Sequence, residues 1–176
     1  MRLDLAFFYA GRRLAGKSRW GDAVIIFAAT WLFYLLLLVA IVGAVQGDTA
    51  LVHHSLRVLF VTVIALIVAE AISWATSLFW FRMRPFERLH FTPLVWMPPH
   101  WKSFPSDHTT IGFTIACTFL FLHHPLAPVL LVTASFVAIA RVIAGVHYPS
   151  DVAAGVVLAG VVSFLTVLLT RTFPLV

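Results

Sequence analysis

The longest uninterrupted apolar segments decide what this chain can fold into. Residues 23–47 carry no charged side chain, and residues 58–81 carry only Glu70. A helix of about 20 apolar residues crosses the hydrocarbon core of a bilayer. A soluble domain has about 25% charged residues, whereas this chain of 176 residues has 11% and a mean hydropathy of +0.99. A soluble globule and a disordered chain are both excluded, which leaves an integral membrane protein.

Residues 109–140 are also free of charge but too long for one crossing. His123, His124 and Pro125 interrupt them, and proline ends a helix while imidazoles prefer the membrane interface. This pattern predicts two antiparallel spans joined by a tight turn. The fold prediction is an all-α membrane bundle forming one domain, 1–176, with five spans at about 23–47, 58–81, 108–122, 126–144 and 151–170.

The first 20 residues mix Leu, Phe and Tyr with Arg and Lys. We interpret them as an amphipathic helix lying in the membrane interface, with a disordered basic tail as the alternative. Their apolar part, residues 5–10, is too short for a signal peptide. The net charge of +5 is assigned to membrane topology, anionic headgroups or a phosphate substrate rather than to nucleic acid. Cys117 alone gives neither a disulfide nor a cysteine metal site.

Polar residues gather in two of the connections between the predicted spans. With five spans, the second–third and fourth–fifth connections lie on the same side of the membrane. They contain Arg84, Lys102, Ser106, Asp107, His108, Arg141, His147 and Asp151. Basic residues, imidazoles and carboxylates at one membrane face suit an anion whose transfer is catalysed by positioning and charge stabilisation.

The spacing of these residues indicates which reaction they can perform. Ser106 or Asp107 can cap a helix whose free N–H groups bind phosphate, with His108 on its first turn. His147 and Asp151 are four residues apart, so the carboxylate can hold one imidazole nitrogen while the other attacks phosphorus. Taken singly, each has a plain alternative as an interfacial or capping residue.

Together these residues resemble the three motifs of the type 2 phosphatidic acid phosphatase superfamily. Residues 84–85 match the end of the first motif, Lys, six residues, Arg-Pro. Residues 105–108 match the second, Pro-Ser-Gly-His, with Asp107 in place of Gly. Residues 140–151 match the third, Ser-Arg, five residues, His, three residues, Asp, with Ala140 in place of Ser.

The resemblance implies a role for each matching residue. It makes His147 the nucleophile, Asp151 its orienting carboxylate and His108 the acid that protonates the leaving oxygen. The expected phosphate-binding residues are Arg84, Ser106, Asp107 and Arg141. The family needs no metal ion, and we expect no cofactor.

One motif position departs from the family. The first-motif lysine should fall at position 77, which is Ser77. We hypothesise that Arg82 or Lys102 supplies the missing charge. The intramembrane carboxylate of Glu70 is open to two interpretations, proton transfer or a structural hydrogen bond within the bundle.

Residues 103–110 are especially similar to small bacterial undecaprenyl-diphosphate phosphatases linked to bacitracin resistance. The expected substrate is therefore a polyprenyl diphosphate lipid. The alternatives are a phosphatase for phosphatidic acid or phosphatidylglycerophosphate, or a non-catalytic membrane accessory protein. We expect a bacterial plasma-membrane protein. All Lys and Arg except Arg57 and Arg171 lie on the same side of the membrane as the site. This charge distribution favours a cytoplasmic site. The resemblance implies a site on the outer face, and we favour the outer face.

Overall fold

The computed structural model describes residues 2–45 and 52–172, and every regular element in these ranges is a helix. In chain order they are α1 (Arg2–Arg12), α2 (Arg19–Ile26), a π-helical turn (Phe27–Trp31), α3 (Leu32–Val45), α4 (Val52–Phe79), α5 (Pro85–Arg88), α6 (Asp107–Phe121), α7 (Ala127–Ile143) and α8 (Pro149–Thr172). The predicted all-helical class is confirmed. The end of the first predicted span, 46–47, and the domain ends, 1 and 173–176, lie outside the described residues.

Three helical stretches are long and apolar enough to cross a bilayer, namely Arg19–Val45, Leu56–Phe79 and Pro149–Arg171. Helices α6 and α7 have 15 and 17 residues. At 1.5 Å per residue they are about 22 and 25 Å long, less than the ~30 Å hydrocarbon core. The chain is thus a multi-pass membrane protein, and the count of five spans stays a prediction.

Helix α6 lies at the centre of the bundle, packed against α4, α7 and α8. Its contact with α8 is close because Gly155 faces it. A Cβ at Gly155 would lie 3.1 Å from Thr110 Oγ1 and 3.2 Å from the Ser106 carbonyl oxygen. One end of this contact carries a hydrogen bond of 3.2 Å from Thr118 Oγ1 to Ser163 Oγ. Small side chains therefore let two membrane helices approach, as in other helix–helix contacts within bilayers.

The N-terminal 20 residues do not form one helix, which corrects the predicted 1–20 element. Helix α1 ends at Arg12, and Gly16 adopts a left-handed φ of +77° in the turn that follows. The Ser18 hydroxyl then accepts from the Gly21 N–H at 3.0 Å and caps α2, which begins at Arg19. The first long apolar helix therefore starts four residues before the predicted boundary at 23.

The connection between α4 and α6 folds back into the bundle instead of lying over it. The Leu94 N–H donates to the Ala144 carbonyl at 3.0 Å, and the Ser103 N–H donates to the Arg82 carbonyl at 3.0 Å. Lys102 is only 4% exposed. These contacts hold the connection against the end of α7 and fold it back on the segment that follows α4, where predicted site residues lie.

Candidate active site

The predicted site residues come from four separate segments that meet at one end of the bundle. Arg84 precedes α5, His108 lies on the first turn of α6, Arg141 is in the last turn of α7, and His147 and Asp151 flank the start of α8. The Arg84 guanidinium and the His147 imidazole are 3.3 Å apart. The guanidinium charges of Arg141 and Arg84 both act on His108. The structure therefore brings the three motifs together.

His147 is 1% exposed, and its two ring nitrogens have different partners. Nδ1 lies 2.9 Å from the Ser103 carbonyl oxygen, which can only accept, so Nδ1 donates. Nε2 lies 3.3 Å from Arg84 Nη1, which can only donate, so Nε2 presents a lone pair. Burial, together with the charges of Arg84 and Arg141, holds the pKa of His147 well below 6.5. The imidazole is therefore neutral near pH 7, with Nε2 available as a nucleophile.

Asp151 does not hydrogen-bond directly to His147, contrary to the arrangement inferred from their spacing. Its Oδ2 is 3.7 Å from His147 Nδ1 and accepts instead from Ser103 Oγ at 2.6 Å and from the Tyr148 N–H at 2.8 Å. Ser103 thus links the two residues, with its hydroxyl on the carboxylate and its carbonyl on the imidazole. Ser103 could not be predicted as a site residue, because a loop serine outside the motif residues gives no signal of this contact.

Arg84 is fixed by backbone carbonyls. Nη1 donates to the Val146 carbonyl and Nε to the Trp101 carbonyl, each at 3.3 Å. Burial lowers its pKa to about 10, although Asp107, Asp151 and Glu87 oppose the shift. Arg84 therefore keeps its charge at neutral pH, in a 1% exposed position beside the candidate nucleophile.

Arg141 is 2% exposed and is anchored by a different part of the chain. Nη1 donates to the Ala29 carbonyl at 3.2 Å, and Ala29 belongs to the π-helical turn before α3. Nη2 lies 3.2 Å from the Met97 sulfur. Its Nε is buried and has no hydrogen-bond partner within residues 2–45 and 52–172. A guanidinium N–H left available in a buried cationic pocket suits an anionic ligand.

His108 and Ser106 stand at the start of α6. The His108 ring packs on Phe33 of α3, with ring centroids 4.5 Å apart. Ser106 is the N-cap residue but makes no capping hydrogen bond with its side chain. Its Oγ accepts from Thr109 Oγ1 at 3.1 Å, which leaves the Ser106 hydroxyl hydrogen to be donated elsewhere.

Asp107 and Lys102 pair with each other instead of facing an open pocket. The Lys102 ammonium donates to Asp107 Oδ1 and, at 2.7 Å, to Ser73 Oγ. Glu70 lies one turn before Ser73 on α4 and interacts electrostatically with Lys102 and Asp107. Its Oε1 is buried and has no hydrogen-bond partner among the described residues. The Asp107 carboxylate is therefore engaged by a cation, and Glu70 belongs to this polar group beside the site.

Arg82 is also engaged by carboxylates. Its two terminal nitrogens each lie 2.6 Å from a carboxylate oxygen, one on Asp4 and the other on Asp151. Ser77, at the first-motif lysine position, donates to the Trp74 carbonyl of its own helix at 2.7 Å. Neither Arg82 nor Lys102 is placed as a free cation, so the structure gives the missing lysine no simple replacement.

The assembled residues can hold and attack a tetrahedral anion. Two guanidinium groups supply positive charge, one neutral imidazole supplies a lone pair, and a second imidazole stands on the turn of α6 beside them. Within the described ranges no group of three or more His, Cys, Asp or Glu side chains is arranged to hold a metal ion. This set matches the requirements of phosphoryl transfer by positioning and charge stabilisation.

Comparison with known proteins identifies the class. The PAP2 superfamily model matches residues 54–174. The Bacitracin transport permease protein BcrC of Bacillus licheniformis is 35% identical over 149 residues, 85% of this chain and 71% of the relative. The Undecaprenyl-diphosphatase BcrC of Bacillus subtilis (strain 168) is 27% identical over 146 residues, 82% of this chain and 72% of the relative.

A solved structure shares the fold. The crystal structure of Aquifex aeolicus LpxE superposes with a TM-score of 0.67 at 24% identity, covering 93% of this chain and 94% of that chain. The chain therefore belongs to the PAP2 superfamily, and it is a membrane lipid phosphatase. The family resemblance drawn from the three motifs is confirmed.

Proposed function

We propose that this protein hydrolyses undecaprenyl diphosphate to undecaprenyl phosphate and inorganic phosphate. The observation that carries the proposal is the buried neutral imidazole of His147, whose Nε2 lone pair lies against the Arg84 guanidinium. The relatives named for bacitracin transport and for undecaprenyl-diphosphatase activity support this substrate over other lipid phosphates.

The mechanism we propose has two steps. His147 Nε2 attacks the terminal phosphorus and the bond from that phosphorus to the bridging oxygen breaks. His108, protonated when the anionic diphosphate is bound, gives its proton to the leaving oxygen and becomes neutral. Water then attacks the phosphohistidine, His108 takes a proton from that water, and inorganic phosphate leaves with His147 restored. Arg84, Arg141 and the Ser106 hydroxyl bind the phosphoryl oxygens, where positive charge stabilises the transition state.

Asp151 supports the nucleophile through Ser103 in this proposal. The Ser103 carbonyl fixes the imidazole with Nδ1 protonated, so that Nε2 keeps its lone pair. The Asp151 carboxylate holds the Ser103 hydroxyl and the Tyr148 N–H. A carboxylate placed in this way also stabilises positive charge on the imidazole as the phosphoenzyme forms.

Phosphate release by the purified protein tests the function. We expect release from undecaprenyl diphosphate to exceed release from phosphatidic acid and phosphatidylglycerophosphate, and vanadate to inhibit it. His147→Gln should lose turnover by roughly a thousand-fold or more. Preferred hydrolysis of a glycerophospholipid would replace the proposed substrate, and no release from any of the three would point to a different lipid phosphate.

We also propose that the five helices α2–α3, α4, α6, α7 and α8 cross the bacterial plasma membrane with the site on the outer face. Exposed His90 lies in the site connection and exposed His123 lies in the α6–α7 turn at the other end. His90→Cys and His123→Cys, each in a Cys117→Ala background, can be labelled in spheroplasts with an impermeant maleimide. Labelling at 90 alone is expected, labelling at 123 alone places the site in the cytoplasm, and labelling at both contradicts the span count.

A further inference from the structure

Helix α1 lies outside the matched family region and packs on the active-site end of the bundle. Three of its residues, spaced one helical turn apart, make the contact. Phe8 is fully buried, with its ring centroid 5.6 Å from that of Tyr148. Arg12 Nη2 donates to the Thr92 carbonyl at 3.2 Å. The third residue is Asp4, and its partners reach the site itself.

Asp4 binds two groups next to Asp151. Its Oδ2 lies 2.6 Å from Arg82 Nη2, and it accepts from Ser150 twice, from the N–H at 3.0 Å and from Oγ at 2.7 Å. Burial raises the pKa of Asp4, but the hydrogen bonds from Arg82 and Ser150 outweigh it and leave the pKa below 3.8. Asp4 is therefore a carboxylate at neutral pH and accepts these bonds as an anion.

Arg82 connects Asp4 to the catalytic machinery. Its Nη1 lies 2.6 Å from Asp151 Oδ1, and its guanidinium carbon lies 4.1 Å from the centroid of the Tyr148 ring. One planar guanidinium therefore spans two carboxylates, one from α1 and one from α8. Because its nitrogens are held in a rigid fork, fixing one end fixes the direction of the other.

We propose that Asp4 is a positioning residue of the active site, which holds Arg82 and the first turn of α8 so that Asp151 and Ser103 keep His147 aligned. The inference rests on the proposed function, because it requires His147 to be the nucleophile. Asp4 touches neither substrate nor reacting atoms in this account. Its loss should therefore lower kcat and leave KM for the lipid within about twofold.

Large apolar side chains on another face of α1 are exposed. Leu3 and Phe7 are 76% and 66% exposed, and they lie on the face away from the site. A helix with one face on the protein and an apolar face outward suits the membrane interface. We therefore expect these exposed side chains to rest in the membrane interface while Asp4, Phe8 and Arg12 hold α1 on the protein.

The test compares Asp4→Asn with Asp4→Glu and a matched control, Asp22→Asn. Asp22 lies in the same N-terminal region, and its carboxylate accepts from the Gly16 N–H at 2.7 Å, away from the site. We expect Asp4→Asn to lower kcat about tenfold, a loss of the size that small misalignments of reacting groups produce. Asp4→Glu should recover most of that loss, and Asp22→Asn should keep the parent kcat.

A double-mutant cycle separates positioning from general destabilisation. Because Asp4 acts through Arg82 as well as Ser150, Asp4→Asn combined with Arg82→Gln should lower kcat by less than the product of the two single losses. The inference would be overturned if the kcat losses of the two single variants multiply in the double variant. It would also be overturned by an unchanged kcat in Asp4→Asn, or by a rise in KM without loss of kcat. Elution as a monodisperse peak and a melting temperature well above the assay temperature show that each variant is folded.

The same measurements distinguish failure of the inference from failure of the proposed function. If the parent protein prefers phosphatidic acid, the substrate proposal fails, and the Asp4 cycle is run on that lipid with the same expected result. If the parent hydrolyses undecaprenyl diphosphate and Asp4→Asn equals it, the inference alone fails. If the parent hydrolyses none of the lipids, both fail.

Discussion

Breaking the buried ion pair between Lys102 and Asp107 distinguishes two roles for the lysine. One hypothesis from the sequence is that Lys102 replaces the missing first-motif lysine and binds phosphate. The structure instead shows its ammonium donating to Asp107 and Ser73 at a position that is 4% exposed. From these contacts we predict that Lys102 is the counter-ion of Asp107.

The size of the effect follows from the burial of the pair. Removing one partner of a buried ion pair costs about 3–5 kcal/mol, because the other charge is left without compensation. The Asp107 side chain keeps 21% of its exposure, so water still reaches the carboxylate. We therefore expect Lys102→Met to cost about 3 kcal/mol, at the lower end of that range. In a chain of this length the loss lowers the melting temperature by roughly 6–12 °C.

The assay uses Lys102→Met, Asp107→Asn and the double variant in one detergent. Melting is followed by tryptophan fluorescence, and phosphate release is measured well below the lowest melting temperature. A counter-ion role predicts that the double variant recovers most of the lost melting temperature and has kcat/KM within about threefold of Asp107→Asn, since additivity fails for paired charges. Lys17→Met, which removes an exposed lysine, should change stability by less than about 0.5 kcal/mol.

Recovered melting temperature without recovered turnover would refute this reasoning. It would show that the ammonium is needed for the reaction even when no buried carboxylate requires it. Lys102 would then be a phosphate ligand, as the sequence hypothesis allowed.

Four further predictions concern the proposed nucleophile and its surroundings. The pKa of His147 lies well below 6.5, so the imidazole stays neutral as the pH is lowered through 6.5. We therefore expect kcat/KM not to fall with protonation of His147 in this range, and a fall centred at pH 6.5 would contradict this prediction. The unfolded imidazole takes up a proton near pH 6.5 that the folded one does not, so stability should decrease as pH falls through that value. Gly145→Ala should lower both melting temperature and turnover, since φ is +87° and the new Cβ would lie 2.7 Å from the Phe91 ring. The left-handed backbone alone costs about 1–2 kcal/mol, whereas Gly160→Ala, with nothing within 4 Å of the new Cβ, should not destabilise. Arg141→Lys should lower kcat/KM at least tenfold, because an ammonium cannot reproduce the guanidinium fork, and parent-like activity would argue against a phosphate contact.

The helices could be predicted because a membrane imposes a strong pattern on sequence. Uncharged segments of sufficient length must satisfy their backbone groups internally, so they become helices. The break at Pro125 followed from the same logic, and α6 ends at Phe121 shortly before it. The boundaries near the N-terminus were less accurate, because they depend on local turn contacts such as the Ser18 cap and the left-handed Gly16.

The residue types in the site could be predicted, but their partners could not. Motif spacing predicted that the side chains of His147 and Asp151 lie close together, and they approach to 3.7 Å. His147 Nδ1 nevertheless donates to the Ser103 carbonyl at 2.9 Å and not to the Asp151 carboxylate. That choice depends on where Ser103 lies, 44 residues earlier in the chain. Asp4 was missed for the same reason, because a lone carboxylate on an N-terminal helix carries no motif.

The connection between α4 and α6 shows why the motif residues alone do not determine the geometry of this site. Its backbone carbonyls, not its side chains, orient the two central groups: Trp101 accepts from Arg84, and Ser103 holds the imidazole of His147. A carbonyl exists at every position of every sequence, so such contacts leave no trace in residue type. The position of these carbonyls is set by burial of the connection, in which Lys102 is 4% exposed and Val95 is 6% exposed. Substitutions that loosen this packing should therefore disturb catalysis while leaving every motif residue in place.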